Sequence, residues 1–279
     1  MQQRIAISMK ILSMILMLLL MASPLVIAAE KTLVESVKKG KADQSEIKLK
    51  GLTIKLKEKE VHMDAQLCLA EGLLEYLMCL PDSFEHESLL MTRTKPELLH
   101  TGLLLIGMEP YSGFGGLAAL WGDKTGKKAK SSLNIEIEMG VGDKKERIKL
   151  IDFLSYRSGD NYDAMGLQKK VEEGKDPDRA VTDSWIFTGS FFHTTKEKKK
   201  VYAANLGGVA IAIMPQQAAV IQFGEENFNP YQGDDNGLEI SGEHKITAGT
   251  NVVVIFSKLK SPLTDNKKDN KVVEEKTKK

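Results

Sequence analysis

The residues best equipped for chemistry lie in one short stretch and a few outliers. Glu85-His86-Glu87-Ser88, with His100 further on, forms the densest ionisable cluster in the chain. Imidazole and carboxylate together suit zinc or a similar divalent ion, so His86, Glu87 and His100 are the candidate metal ligands. The same groups suit a carboxylate–imidazole pair for acid–base catalysis. Ser190 and Asp235 are the outlying residues that would complete such a site. Against both readings stands a plainer one: Glu87 or Ser88 caps backbone groups, and a buried His100 makes one hydrogen bond. No third firm ligand accompanies the two histidines, so the plain reading leads and no resident cofactor is expected beyond a divalent metal.

Other motifs fail on context. Gly113-Phe114-Gly115-Gly116-Leu117-Ala118 fits a dinucleotide fingerprint, but it follows a helical pattern where a strand is required. Gly126-Lys127-Lys128 lacks both the upstream glycine and the Ser/Thr of a phosphate loop. Asp234-Asp235-Asn236-Gly237 begins like a calcium loop and then puts Leu238 where an oxygen ligand belongs. Gly189-Ser190-Phe191 is no nucleophile elbow, since Thr188 and Phe192 stand where Gly is needed.

The elements that must position these residues read mainly as strands. Leu52, Ile54 and Leu56 alternate with Thr53, Lys55 and Lys57 across Gly51–Glu60, and Val61–Leu69 alternates in the same way. Ala70-Glu71-Gly72 is expected to turn the chain so that Leu73–Cys79 returns as a hairpin partner. Matching the apolar faces sets Cys68 against Leu73 and Cys79 against His62. That separates the thiols by ~20 Å, beyond the roughly 7 Å that a disulfide spans. Two free thiols follow, and a redox module using the pair is disfavoured. Thr94-Lys95-Pro96-Glu97 reads as a capping box opening a helix over about 95–107, apolar on nearly all sides and ended by Gly107. Further strands are expected at Ser88–Thr92, Leu133–Met139, Arg147–Leu150, Trp185–Thr188, Lys200–Ala204, Val209–Met214, Ala218–Gln222 and Asn251–Ser257, with a polar loop over Asp160–Asp183. One buried helix against many strands predicts an α+β domain, mostly antiparallel.

The ends of the chain set its context. Arg4 and Lys10 precede a 19-residue uncharged run, Ile11–Ala29, broken by Pro24 and ending in Ala28-Ala29. That layout reads as a signal peptide, residues 1–29, in an exported protein of the periplasm or cell surface. Its length leaves an inner-membrane anchor as the alternative; otherwise membrane contact is confined to the leader. The tail, residues 258–279, holds eight Lys and four acidic residues and reads as disordered. The formal charge of +1 therefore conceals a 30–257 body near −5. Nucleic acid is not the expected partner, and a cell-envelope partner is.

Cys68-Leu69, Gly72, Leu74-Glu75, Cys79, Glu85-His86-Glu87-Ser88-Leu89-Leu90, Pro96, His100, Leu103-Leu104 and Gly107 resemble the YdjY-like family of exported bacterial proteins. So do Trp185-Ile186-Phe187-Thr188-Gly189-Ser190, Tyr202-Ala203-Ala204, Gly207-Gly208 and Asp235-Asn236-Gly237-Leu238. The departures are Asn205, where the family often has Asp after Ala, and the Lys-rich tail. The resemblance spans most of Leu52–Lys258 and implies compartment and domain extent, with no reaction attached. The leading expectation is an exported, non-catalytic binding or structural module; the rival is a metal-dependent enzyme built on His86, Glu87 and His100.

Overall fold

Strand β3 (Glu60–Leu67) carries the strongest alternation in the chain, and its burial alternates with it: Val61, Met63, Ala65 and Leu67 are buried, and the residues between face outward. The computed structural model that shows this describes residues 45–111, 127–140, 144–157, 183–224 and 237–259. Strands β1 (Glu46–Leu49) and β2 (Leu52–Lys55) precede β3; then come β4 (Leu73–Leu74), β5 (Tyr76–Cys79) and β6 (Ser88–Met91). The middle supplies β7 (Ser132–Met139), β8 (Glu146–Lys149), β9 (Leu154–Arg157), β10 (Trp185–Phe187) and β11 (Phe192–Thr194). The last are β12 (Lys200–Tyr202), β13 (Val209–Ala212), β14 (Ile221–Phe223), β15 (Gly237–Ile240) and β16 (Asn251–Lys258). Helices are few among the described residues: α1 (Pro96–Leu105), α2 (Lys127–Lys130) and α3 (Ala203–Gly207), plus single 3-10 turns. None is long and apolar enough to cross a membrane.

The strands close into a ring. In order they run β3, β16, β7, β10, β14, β13, β5 and β6, and β6 returns to β3 through Gln66↔Met91 and Leu67↔Leu90. This is an eight-stranded barrel. Following the paired residues around it keeps one apolar face inward: Met63 and Val254, Ile137, then Leu133 and Trp185, Phe223, then Ile221, Ile211, Met78, Leu90 and Leu67. All of these are fully buried or nearly so, and they belong to one core. Side chains thus fill the interior, as the small circumference of an eight-stranded ring requires. Strand β1 extends the sheet through β2, which pairs with the first half of β3; β8 pairs with the second half of β7.

The β-rich α+β class expected from the sequence holds. The simple antiparallel sheet does not, because β5 runs parallel to β6 and β13 parallel to β14. The expected hairpin between β3 and Leu73–Cys79 is also absent. β4 pairs with β15, and β5 pairs with β13 and β6. His62 lies opposite Thr53 and Ile255, and Cys79 opposite Val209 and Met91. Matching apolar faces chose the wrong partner because any inward-facing strand of the barrel offers the same face to β3. The strand expected over Gly51–Glu60 is β2 followed by a tight turn, in which Lys59 takes φ 57°.

Helix α1 begins where expected but is not capped as expected. Thr94 donates its hydroxyl to the Gly51 carbonyl instead, and Glu97 accepts from Asn205. Its end is a Schellman motif: Met108 N–H bonds to Leu103 O, Gly107 N–H bonds to Leu104 O, and Gly107 takes φ 87°. Gly102 lets the helix lie against Val61 and Ile54. The helix is only half enclosed: Leu99, Gly102 and Leu103 are buried, while Leu98, Leu104 and Leu105 are partly covered.

Gly208 follows α3 at φ 70°, and a Cβ there would stand 2.7 Å from the Cβ of Ser83. Strain and clash act together, so Gly208→Ala is expected to destabilise the protein by about 2 kcal/mol. Equilibrium urea unfolding measures this; an unchanged midpoint would contradict the packing described.

Candidate functional site

His100 lies midway along α1, and β12 brings Tyr202 to it. Nδ1 of His100 is 2.5 Å from the Tyr202 hydroxyl. Phe187 meets the imidazole edge-on at 5.1 Å between ring centres. Ser190 adjoins the Tyr202 hydroxyl, and its Oγ accepts the Ala204 N–H at 3.1 Å. Gly189 is required beside it, because a Cβ at this φ 65° position would stand 3.3 Å from Cε1 of His100 and 2.8 Å from Pro110. Glu97, buried one turn earlier on α1, accepts from the Asn205 amide at 3.1 Å. The whole assembly ties α1 to the segment Gly189–Asn205.

The electrostatics fix the protons. Burial lowers the His100 pKa from 6.5 to about 4, so the imidazole is neutral at neutral pH. Burial, with the charge of Glu97 adding to it, holds the Tyr202 phenol well above its ordinary pKa. Tyr202 therefore keeps its proton, and its hydroxyl shares one hydrogen bond with Nδ1 of His100. That bond engages one of the two ring nitrogens. Its geometry is that of a brace.

The other predicted residues lie elsewhere. His86 sits in an exposed 3-10 turn, Glu85–Glu87, with Nε2 at 3.4 Å from Glu87 Oε1. Glu85 accepts the backbone N–H groups of Asp82 and Ser83 at 2.6 and 2.9 Å, which is local capping. The structure therefore engages His86 and His100 in separate interactions, and the metal set His86, Glu87, His100 is not formed. Among the described residues no three His, Cys, Asp or Glu side chains converge as a metal site would need. Ser190 does join His100, through a tyrosine that the spacing of charged residues could not indicate. Asp235, residues 113–118, Gly126, Asp234-Asn236, the leader and nearly all of the tail lie outside the described residues, as does most of the Asp160–Asp183 loop.

The two cysteines are free, but not apart as the hairpin register demanded. Cys68 N–H bonds to Leu89 O, and Cys79 pairs with Met91, so the two flank β6. The Cys68 thiol donates to the Gln66 carbonyl at 3.9 Å. His62, the former partner of Cys79, instead bonds Glu60 at 2.7 Å on the outer face, within an ion cluster that includes Arg147 and Glu138.

Fold and site together define a closed, mixed eight-stranded barrel with an internal His–Tyr–Ser brace. No family model matches the chain, and no curated protein or solved structure matches it.

Proposed function

We propose that the chain is an exported envelope module that binds without transforming, and that it docks on an anionic phospholipid surface through the β11–β12 hairpin. One observation carries this reading. Phe191, Phe192 and Leu206 are 51%, 38% and 59% exposed, where large apolar side chains are usually covered. They lie at the base of a hairpin whose tip is Lys196-Glu197-Lys198-Lys199-Lys200, all exposed. The tip is built rather than loose: Thr195 N–H bonds Lys199 O and Lys198 N–H bonds Thr195 O, with Lys198 at φ 59°. Phe191 O accepts from Ala203 N–H, so its ring leaves the junction from which α3 and Leu206 start.

The hairpin carries four Lys against one Glu, +3, on a body whose total is near −5. Aromatic side chains beside a lysine cluster suit the interfacial zone of an anionic bilayer, with rings among the headgroups and ammonium groups on phosphate. Two features support the export part: the leader pattern at residues 1–29 and the resemblance to YdjY-like exported proteins. What supports the non-catalytic part is the engagement of His100 and Ser190 in the brace.

Co-sedimentation of the full chain with vesicles of phosphatidylcholine alone, or of phosphatidylcholine with phosphatidylglycerol, tests the reading. Binding is expected on the anionic vesicles and to weaken with salt. Each lysine contributes roughly 1 kcal/mol near such a surface, so replacing Lys198, Lys199 and Lys200 by Gln should weaken binding on the order of 100-fold. Phe191→Ser with Phe192→Ser should weaken it as well. Binding unchanged by both variants would assign the membrane contact to the leader or tail and overturn the hairpin's role. Dimerisation lost in the Phe variants, with no vesicle binding, would make a second copy the occupant instead.

A further inference from the structure

Strand β1 stands at the end of the eleven-stranded sheet, and among the described residues β2 is the one strand that pairs with it. The phase of that pairing shows which backbone groups face outward. Leu56 N–H bonds to Ser45 O, one step beyond the Glu46↔Lys55 pair. Bonded and non-bonded pairs alternate in an antiparallel ladder. Ser45, Ile47 and Leu49 therefore bond to β2, and the N–H and C=O groups of Glu46 and Lys48 point to the open edge. The side chains alternate between the two faces. Ile47 and Leu49 are half-buried against the core, while Glu46 and Lys48 are exposed on the other face, with Lys48 Nζ 3.4 Å from Glu46 Oε2.

An edge of this kind accepts a further strand. The charges on β1 identify one that fits. Let a second β1 lie antiparallel to the first across a two-fold axis at Ile47. Glu46 then stands directly opposite Lys48 of the second copy, and Lys48 opposite its Glu46. These are the residues whose backbone groups face the edge, so each pair exchanges two hydrogen bonds, four in all. Ile47 meets its own counterpart on the core side, and four charges of alternating sign face each other on the outer side. Moving the axis to Lys48 keeps the faces matched but sets Lys48 against Lys48, so charge selects the Ile47 register. Strand β8, which pairs with β7 alone among the described residues, is built the opposite way. The same operation at its Ile148 sets Arg147 against Lys149 of the second copy, and Arg147 is already paired with Glu60 and Glu138. Like charges guard β8 against its own copy; β1 is complementary to itself.

We propose that β1 is a homodimerisation edge, at which two copies of the chain join β1 to β1, antiparallel and centred on Ile47. The contact is isologous, so it closes at two copies and does not propagate into a fibre. Four residues a side make a small interface, and exposed ion pairs add little beyond fixing the register. The dimer is therefore weak and dependent on concentration.

The test is sedimentation velocity of the full chain over a concentration series from about 1 μM to about 1 mM. A monomer–dimer equilibrium is expected, with dimer prominent above on the order of 100 μM. Lys48→Glu should weaken it roughly 10-fold, because like charges then face each other at both ends of the pairing. Adding Glu46→Lys to that variant restores alternating signs and should restore the dimer. Lys48→Pro removes two of the four hydrogen bonds between copies and none of those to β2, so it should abolish the dimer in a folded chain. If that variant does not fold, the charge variants at exposed positions keep the test decisive. Phe191→Ser with Phe192→Ser should leave the dimer intact. A chain that stays monomeric throughout overturns the proposal. So does a dimer untouched by Lys48→Glu, one that the double charge variant fails to restore, or one lost in the Phe variants.

Discussion

Stability falls by on the order of 3 kcal/mol as the pH drops from about 6.5 to about 4, through His100 alone. The sign follows from the direction of its shift. In the unfolded chain His100 takes up a proton near its ordinary value of 6.5; in the folded protein burial delays this to about 4. Between those values the unfolded state holds more protons, so stability rises with pH. The contribution is complete above about 6.5 and lost as the pH falls to about 4. The folded imidazole, hydrogen-bonded to Tyr202, stays neutral through most of this window and takes up its proton only at the lower edge, near 4. Urea unfolding at closely spaced pH values measures the effect. His100→Gln retains an acceptor without a titrating ring. It should be less stable than the parent at pH 7, and the two should converge toward pH 4. Parallel curves throughout the window would show that His100 is not the group responsible.

Gln222→Met should destabilise the barrel by about 3–5 kcal/mol, despite conserving volume. Gln222 lies in β14 and is completely buried. Its amide nitrogen donates to the carbonyls of Ala212, Ile213 and Met214 at 3.3, 3.0 and 3.1 Å, and its oxygen accepts the Gln216 N–H at 3.1 Å. These are the backbone groups of the connection that leaves β13 and must return parallel to it as β14. A parallel pairing cannot be joined by a two-residue turn, and the longer connection leaves polar backbone inside the wall. One side chain satisfies it. Methionine fills the space and leaves the carbonyls and the N–H without partners. Gln222→Glu is the informative companion: a carboxylate facing three carbonyls should be worse than methionine at neutral pH. A loss below about 1 kcal/mol for Gln222→Met would mean that water replaces the amide.

Local periodicity made individual strands legible, and long-range pairing stayed hidden. Val61, Met63, Ala65 and Leu67 announce β3, and Leu133–Met139 and Asn251–Ser257 announce its distant neighbours β7 and β16. The partner of β5 could not be read, because an inward apolar face is common to every strand of a closed ring. The nearest strand in sequence offers the same apolar face as the real neighbour, β13, which follows far along the chain. Short or exposed strands were missed for another reason. β11 is Phe192-His193-Thr194, exposed throughout, so burial imposes no alternation on it. At the site, residue type identified His100 and Ser190, but not their connection. Tyr202 is uncharged and sits at the end of a short strand, and only the fold shows that its hydroxyl bridges the two. Spacing likewise misplaced the cysteines: an assumed register separated thiols that the actual topology brings to either side of one strand.

The way β3 divides one edge between two partners bears on how the chain reaches this structure. Its first half holds β2, a local hairpin that can form early; only Gln66 and Leu67 remain to receive β6 and close the ring. Local pairs form quickly, and pairings between distant segments wait on loop closure. Before that seam zips, β6 and the far end of β3 are open edges with unsatisfied backbone, the kind that recruits other chains. Leu67 and Leu90, almost fully buried where the two strands meet, hold this last joint of the ring shut once it has formed.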